Sequence, residues 1–193
     1  MKKQNQKSEK EKIEIILTGG TIDSSWNGIK DTAVVNNHSI IPSYFKKLIV
    51  YPEIKFTEIC MKDSREIDQH DIQRILNAIK KSKSKHILIT HGTYTMPDTA
   101  KFLEANLKRK DQTIVFTGSM VPLEGVYPTD AGFNLGYAIS KSQELKPGIY
   151  ICMNGDTFSP QEVVKNLGEG KFYSIFRNVR DLSKERSKKG STR

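Results

Sequence analysis

The chain has 193 residues, of which 36% are hydrophobic and 27% charged, and this length suits one domain with a continuous core. It contains no apolar run of the roughly 20 residues that cross a bilayer, and polar residues stand where a signal peptide needs its apolar segment. We therefore predict a cytoplasmic protein with no membrane partner. Cys60 and Cys152 fall in apolar runs, which predicts buried thiols in a reducing compartment and no disulfide.

The formal net charge of +9 is concentrated at the two ends of the chain. Residues 1–12 carry five Lys against two Glu, and residues 177–193 carry seven basic against two acidic side chains. The remainder is nearly neutral, with 19 basic and 18 acidic side chains. This distribution predicts disordered basic tails at 1–11 and 178–193 around one domain at 12–177. It favours solvated tails over a nucleic-acid partner, although binding of an anionic surface through the tails is kept as an alternative.

Strand-like and helix-like patterns alternate along the chain, starting at Ile13. The apolar runs predict strands at 13–17, 54–61, 86–90, 113–117 and 148–153. Amphipathic spacing and capping residues predict helices at 68–81, from Thr95 to about Leu107, and from Thr129 or Asp130 to about Gln143. This alternation predicts a single-domain α/β fold, a three-layer Rossmann-like or flavodoxin-like sheet that is mostly parallel, with helices on both faces.

Two further segments lie outside this alternation. The order Ser159, Pro160, Glu162 is typical of a helix start and predicts a short helix that ends at Gly168. The segment from Asp23 to Ile40 fits neither period, so we predict a loop directly after the first strand.

Three of the predicted strands end in similar turns. Thr, Gly and a second hydroxyl residue follow the apolar run in the sequences ILTGGT at 16–21, ILITHGT at 87–93 and IVFTGS at 114–119. Parallel sheets bind ligands at the carboxyl ends of their strands, so we expect the three turns to face one crevice. Their glycines allow a ligand to approach the backbone closely.

The remaining motifs narrow the chemistry. The sequence has no GxSxG, no HExxH, no paired CxxC and no GxxxxGK[ST], so a serine triad, a metal site and a phosphate-binding loop are not predicted. Only His91 lies in a candidate turn, where we expect it to orient the backbone. A hydroxyl nucleophile needs a nearby base or proton relay, which leaves threonine chemistry assisted by lysine and without a cofactor.

TGGTI at 18–22 and HGTYTM at 91–96 resemble the two signatures of bacterial-type L-asparaginases. The resemblance covers about 13–176, the N-terminal catalytic domain of that family, and continues through four shorter segments. These are SREID at 64–68, FTGSMVP at 116–122, DAGFNL at 130–135 and the surroundings of Val164 and Lys165.

The resemblance implies hydrolysis of a side-chain amide through an acyl-enzyme on Thr21, with release of ammonia. It implies that Thr93 and Lys165 complete the catalytic set. It further implies a small-molecule amide as partner and a homo-oligomer, which we expect to be a dimer. The substrate-binding site that it implies is formed by Ser64, Arg65, Thr93, Tyr94 and Ser119.

The chain departs from the family pattern at two positions and in its extent. Tyr94 stands where the family has an aspartate, and Arg65 where glutamine is more frequent. The smaller C-terminal domain, which supplies a further acid to a neighbouring subunit, is not matched. We therefore expect a pocket that binds a carboxylate through Ser64 and Arg65 but recognises a free α-ammonium group weakly. The alternatives are a compensating acid elsewhere, and a non-catalytic module that binds or senses amides or amino acids.

Overall fold

The structure is a computed structural model that describes residues 12–108 and 110–176. The predicted tails, 1–11 and 178–193, lie outside the described residues. The strands are β1 (Lys12–Gly19), β2 (Ser24–Asn27), β3 (Thr32–Val35), β4 (Glu53–Lys62), β5 (His86–Thr90), β6 (Thr113–Thr117), β7 (Gly148–Met153), β8 (Asp156–Phe158), β9 (Val163–Asn166) and β10 (Lys171–Ser174). The helices are α1 (Ile41–Lys46), α2 (Gln69–Lys81), α3 (Met96–Asn106) and α4 (Ala131–Glu144). No helix in these described ranges is long and apolar enough to span a bilayer.

Six strands form the main sheet in the order β4-β1-β5-β6-β7-β8. The first five are parallel, and β8 pairs with β7 in the antiparallel direction at one edge. The five strands predicted from apolar runs are these parallel strands. Because all five run in the same direction, their carboxyl ends lie along the same edge of the sheet.

The side chains of alternate residues in the central strands pack into two separate hydrophobic cores, one on each face of the sheet. Ile16, Ile89 and Phe116 pack on one face with α2 and α3, whereas Ile15, Leu88 and Val115 pack on the other face with α1 and α4. Strands buried on both faces explain why the sequence shows continuous apolar runs there. The predicted α/β fold, with one mostly parallel sheet between two helical layers, is confirmed.

Two segments differ from the sequence-based expectation. The predicted helix after Ser159 is wrong, because Val163–Asn166 is strand β9, paired antiparallel with β10. The segment predicted as a loop contains a hairpin, β2–β3, in which Trp26 lies opposite Ala33. Both hairpins lie at the carboxyl edge of the main sheet, next to the turns described below.

Candidate active site

The three turns that follow β1, β5 and β6 touch one another. A Cβ atom added at Gly20 would lie 2.4 Å from the Gly92 nitrogen, and one added at Gly118 would lie 2.4 Å from the His91 carbonyl oxygen. The Thr18 hydroxyl donates to the Thr90 carbonyl at 2.8 Å, so the ends of β1 and β5 are also bonded. Only glycine permits this approach, and the sequence pattern therefore brings the turns together as expected.

Thr21 lies at the start of a single 3₁₀ turn, Thr21–Asp23, immediately after β1. Gly19 and Gly20 adopt positive φ angles of 86° and 79°, which reverse the chain away from the strand. Ile22 is fully buried and its carbonyl accepts from the Leu123 amide at 3.2 Å, which fixes the turn against the loop after β6. The half-buried Thr21 is thus held on a rigid turn at the carboxyl edge.

Thr93 and Lys165 are in direct contact although 72 residues separate them. The Lys165 ammonium donates to the Thr93 hydroxyl with a distance of 2.6 Å between Nζ and Oγ1. Lys165 comes from β9, where Val163, two residues earlier on the same face, is buried in the core. Burial lowers the pKa of Lys165, and the nearby carboxylate of Asp63 opposes this effect. The amine of Lys165 therefore loses its proton more easily than that of a solvated lysine, and it is hydrogen-bonded to the Thr93 hydroxyl.

Ser64 connects the end of β4 to the turn after β5. Its side chain packs on Gly92, where an added Cβ would lie 2.7 Å from the Ser64 Cβ. The Thr95 hydroxyl donates to the Ser64 carbonyl at 2.7 Å, and the Thr95 amide lies 3.4 Å from the Ser64 hydroxyl oxygen. Ser64 thus lies beside the turn that carries Thr93.

Arg65 and Tyr94 form the exposed rim of this region. The guanidinium carbon of Arg65 lies 5.6 Å from the centre of the Tyr94 ring, whose side chain is 53% exposed. The same guanidinium binds the Asp63 carboxylate through Nε–Oδ1 at 2.9 Å and Nη2–Oδ2 at 3.1 Å. Arg65 therefore holds the pKa of Asp63 below its usual range. Sequence reasoning missed Asp63, although an acid two residues before a rim arginine is a visible signal.

Ser119 is buried in the turn after β6, and its hydroxyl donates to the Val121 carbonyl at 2.5 Å. The carboxylate of Asp130, at the start of α4, accepts from the Met120 and Val121 amides and holds the same turn. The Met120 sulfur lies 3.8 Å from the Thr93 hydroxyl oxygen, which places this turn next to the Thr93–Lys165 pair. The hydroxyl of Ser119 is occupied within its own turn, so its role in binding a substrate stays a prediction.

His91 is fully buried beneath the turns. Its Nδ1 lies 2.8 Å from the Gly92 carbonyl oxygen and its Nε2 lies 3.1 Å from the Thr99 hydroxyl oxygen. Burial lowers the pKa of His91 to about 4, so the imidazole is neutral at physiological pH, donating at Nδ1 and accepting at Nε2. The ring orients the backbone that carries Thr93, as expected from the sequence.

Within the described ranges, one acidic cluster has the spacing of a metal site. Ligand atoms of Asp68, His70 and Asp71 lie within 4.8 Å of one another at the start of α2. The Lys62 ammonium lies 2.5 Å from the Asp71 carboxylate, and Asp68 and Asp71 also form the capping box of α2. These carboxylates are already used in holding the helix end.

The sequence that forms these turns matches a known family. The profile described as asparaginase, N-terminal, matches residues 12–175. The chain belongs to the asparaginase family. As an asparaginase-family domain it is 29% identical over 168 residues to an L-asparaginase from Thermococcus kodakarensis, with 85% of this chain and 51% of the relative covered. It is 27% identical over 169 residues to a glutaminase-asparaginase from Acinetobacter glutaminasificans, covering 82% and 50% of the two chains.

The asparaginase fold is also seen in a solved structure. The thermostable L-asparaginase from Thermococcus kodakarensis superposes with a TM-score of 0.74 at 28% identity, covering 85% of this chain and 51% of that one. The chain thus spans about half the length of these asparaginase relatives.

Proposed function

We propose that this protein hydrolyses a side-chain carboxamide to a carboxylate and ammonia through an acyl-enzyme on Thr21. The observation that carries the proposal is the 2.6 Å contact between Lys165 Nζ and Thr93 Oγ1, on a turn that touches the turn of Thr21. A lysine of lowered pKa bonded to a hydroxyl can relay the proton of a neighbouring hydroxyl nucleophile.

The proposed reaction has two steps. The Thr21 hydroxyl oxygen attacks the amide carbon while its proton passes through Thr93 to the neutral amine of Lys165. Backbone amides of the glycine turns stabilise the oxyanion, the C–N bond breaks, and the proton on Lys165 goes to the leaving ammonia. Water then attacks the acyl-threonine by the same relay, releasing the carboxylate and restoring the Thr21 hydroxyl.

The charges around this site favour a substrate that carries a carboxylate and lacks a free ammonium. Asp63 acts on both cations of this region: its charge raises the pKa of Lys165, and its carboxylate is bound by Arg65 in a two-point contact. A substrate ammonium at the rim would lie beside the Arg65 guanidinium and the Tyr94 ring, and the nearby Asp63 carboxylate is already paired. An ammonium in this place would be repelled by two cations and would not meet an unpaired Asp63 carboxylate, which disfavours its binding.

Ammonia release measured over a small panel of amides tests both levels of the proposal. The panel contains asparagine, glutamine, N-acetylasparagine and the deaminated analogue succinamate. We expect Thr21→Ala to lose more than about a hundredfold in turnover with its circular dichroism unchanged. Thr32→Ala, which removes an exposed threonine in β3, is the matched control and keeps full activity.

Two outcomes would contradict the proposal. Wild-type turnover in Thr21→Ala would remove the nucleophile assignment. A clear preference for free asparagine over N-acetylasparagine and succinamate would overturn the substrate class while leaving the reaction in place.

A second candidate is a module that binds amides without hydrolysing them. Tyr94 favours it, because the resemblance implies an aspartate at this position and an aromatic ring cannot accept a proton. Calorimetric binding of asparagine or succinamate to a protein that releases no ammonia would support this candidate over the first.

We further propose that the protein works as a cytoplasmic homodimer. The exposed Tyr94 and Arg65 give the rim of the site a surface that a second copy could cover. Cys152 is a buried free thiol, as predicted, whereas the free thiol of Cys60 is only partly buried. Sedimentation equilibrium would test the assembly, and a monomer at concentrations where the activity is full would contradict it.

A further inference from the structure

Asp23 is a buried carboxylate that the proposed reaction does not use. It lies two residues after Thr21, in the same 3₁₀ turn, and its residue is 0% exposed. The Ser39 hydroxyl lies 3.0 Å from Oδ1 and 2.9 Å from Oδ2, and the Ile40 amide donates to Oδ1 at 2.9 Å. Burying a carboxylate costs free energy unless hydrogen bonds or ion pairs compensate for the lost hydration, so the partners of Asp23 indicate its role.

The backbone of Asp23 joins the same two parts of the chain. Its amide donates to the Gly20 carbonyl at 3.0 Å, and its carbonyl accepts from the Asn36 amide at 2.9 Å. One residue therefore bonds to the glycine turn before Thr21 and to three positions, 36, 39 and 40, at the far end of the segment 24–40. That segment contains the β2–β3 hairpin and begins beside Thr21.

A second carboxylate holds the same end of the segment from the other side. Glu58, on the edge strand β4, accepts from the Ser39 amide at 2.9 Å and from Nδ1 of His38 at 3.1 Å. Ser39 is thus bonded to Asp23 through its hydroxyl and to Glu58 through its amide. Removing either carboxylate therefore removes one of the two attachments of Ser39.

We infer that Asp23 is a positioning residue that holds the segment 24–40 against the Thr21 turn through Ser39 and Ile40, and so fixes the orientation of the Thr21 hydroxyl. The effect on turnover rests on the proposed function, whereas the hold on the segment does not. A small displacement of a nucleophile lowers the rate strongly, because the reacting atoms must lie within about 3.5 Å in the correct orientation.

The segment carries its own probe. Trp26 is the single tryptophan of the sequence, and it lies on β2 with its side chain 57% exposed. Its fluorescence anisotropy therefore reports the motion of the hairpin. Hydrogen exchange of the Asn36 and Ile40 amides reports the two backbone bonds that end on Asp23.

The experiment compares Asp23→Ala, Asp23→Asn and a control on β1, the strand that precedes the Thr21 turn. Glu14→Ala is the control, because Glu14 is also buried and bonded to Lys55, Thr57 and Ser82, but lies near the start of β1. We expect Asp23→Ala to lower the Trp26 anisotropy, to speed exchange at 36–40 and to reduce kcat at least about tenfold, with a smaller change in KM. We expect Asp23→Asn to restore most of kcat, since Oδ1 alone accepts from both Ser39 and Ile40.

Three results decide the inference. Unchanged anisotropy and exchange in Asp23→Ala would overturn it. A loss of kcat that is equal in Asp23→Ala and Glu14→Ala at equal loss of Tm would also overturn it, since that pattern reflects stability alone. If the wild type hydrolyses no amide, the proposed function fails, and the anisotropy and exchange still decide whether Asp23 holds the segment.

Discussion

Lys165 is the single side chain on which the proposed chemistry depends most. It reaches Thr93 at 2.6 Å, and burial lowers its pKa, so a larger fraction is neutral than for a solvated lysine. If the neutral amine accepts the proton of Thr21, ammonia release rises with pH as Lys165 loses its own proton. Lys165→Arg keeps a permanent cation that cannot accept it, so we expect turnover to fall about a hundredfold or more and the alkaline rise to disappear.

The pH profile of ammonia release measures this prediction. Lys171→Arg is the matched control, because Lys171 is exposed on β10, the strand that pairs with the strand of Lys165. The control should follow the wild-type profile. A Lys165→Arg variant with the same alkaline limb as the wild type would show that the amine does not take the proton.

Among single residues, the sequence predicts the site residues that lie in the family motifs and misses those that lie outside them. Thr93 and Lys165 are 72 residues apart, and their pairing comes from the family resemblance, since no local pattern links them. Asp63 is missed although its partner Arg65 lies two residues away in the sequence, whereas Asp23 is missed because its partner Ser39 lies 16 residues away. A carboxylate in a loop reads as a solvated residue until its neighbours are known.

Among the structural elements, the turns after the strands impose the strictest requirement on the sequence. Gly20 has φ 79° and ψ −176°, a region that is essentially restricted to glycine, and its added Cβ would lie 2.4 Å from the Gly92 nitrogen. We expect Gly20→Ala to lower the free energy of unfolding by about 3 kcal/mol or more, because backbone strain and a backbone clash add.

Two other glycines provide controls in the same urea titration. An added Cβ at Gly28, in the β2–β3 turn, or at Gly136, inside α4, would meet nothing within 4 Å. Gly28→Ala should change the free energy of unfolding by less than about 0.5 kcal/mol. Gly136→Ala should raise it by up to about 1 kcal/mol, since alanine is the better helix former. Equal losses at all three positions would show that the close contact of the two turns is unimportant.

Burial determines which strands and helices could be predicted from the sequence. Strands β1, β5, β6 and β7 are buried on both faces, and their continuous apolar runs identify them without tertiary information. The hairpins are harder, since each is stabilised by its neighbours. The local contact expected at a helix start does form, because the Ser159 amide donates to the Glu162 carboxylate at 2.7 Å. However, the Ser174 hydroxyl also donates to Glu162, and β10 pairs with the residues that follow Glu162. Tertiary pairing thus replaced a helix that the local pattern favoured.

For the whole molecule, two buried groups make folding stability depend on pH in opposite directions. Burial, helped by the charge of Glu58, raises the pKa of Asp23 from 3.8 to about 6. The folded state therefore binds this proton more tightly than the unfolded chain, and the resulting stability is present below pH 4 and lost as pH rises to 6. Burial lowers the pKa of His91 from 6.5 to about 4, so its contribution is present above pH 6.5 and lost as pH falls.

Each shift is worth about 3 kcal/mol at 1.36 kcal/mol per pKa unit, so the two contributions nearly cancel in the wild type between pH 4 and 6.5. Asp23→Asn removes one of them and leaves the His91 contribution alone. We expect the stability of this variant relative to the wild type to increase by about 3 kcal/mol from pH 4 to pH 7 in urea unfolding. Asp31→Asn, an exposed change in the hairpin, should keep a constant difference from the wild type. If the Asp23→Asn difference is equally constant, the carboxyl group of Asp23 does not carry a proton in the folded state near pH 5, and its burial does not govern its ionisation.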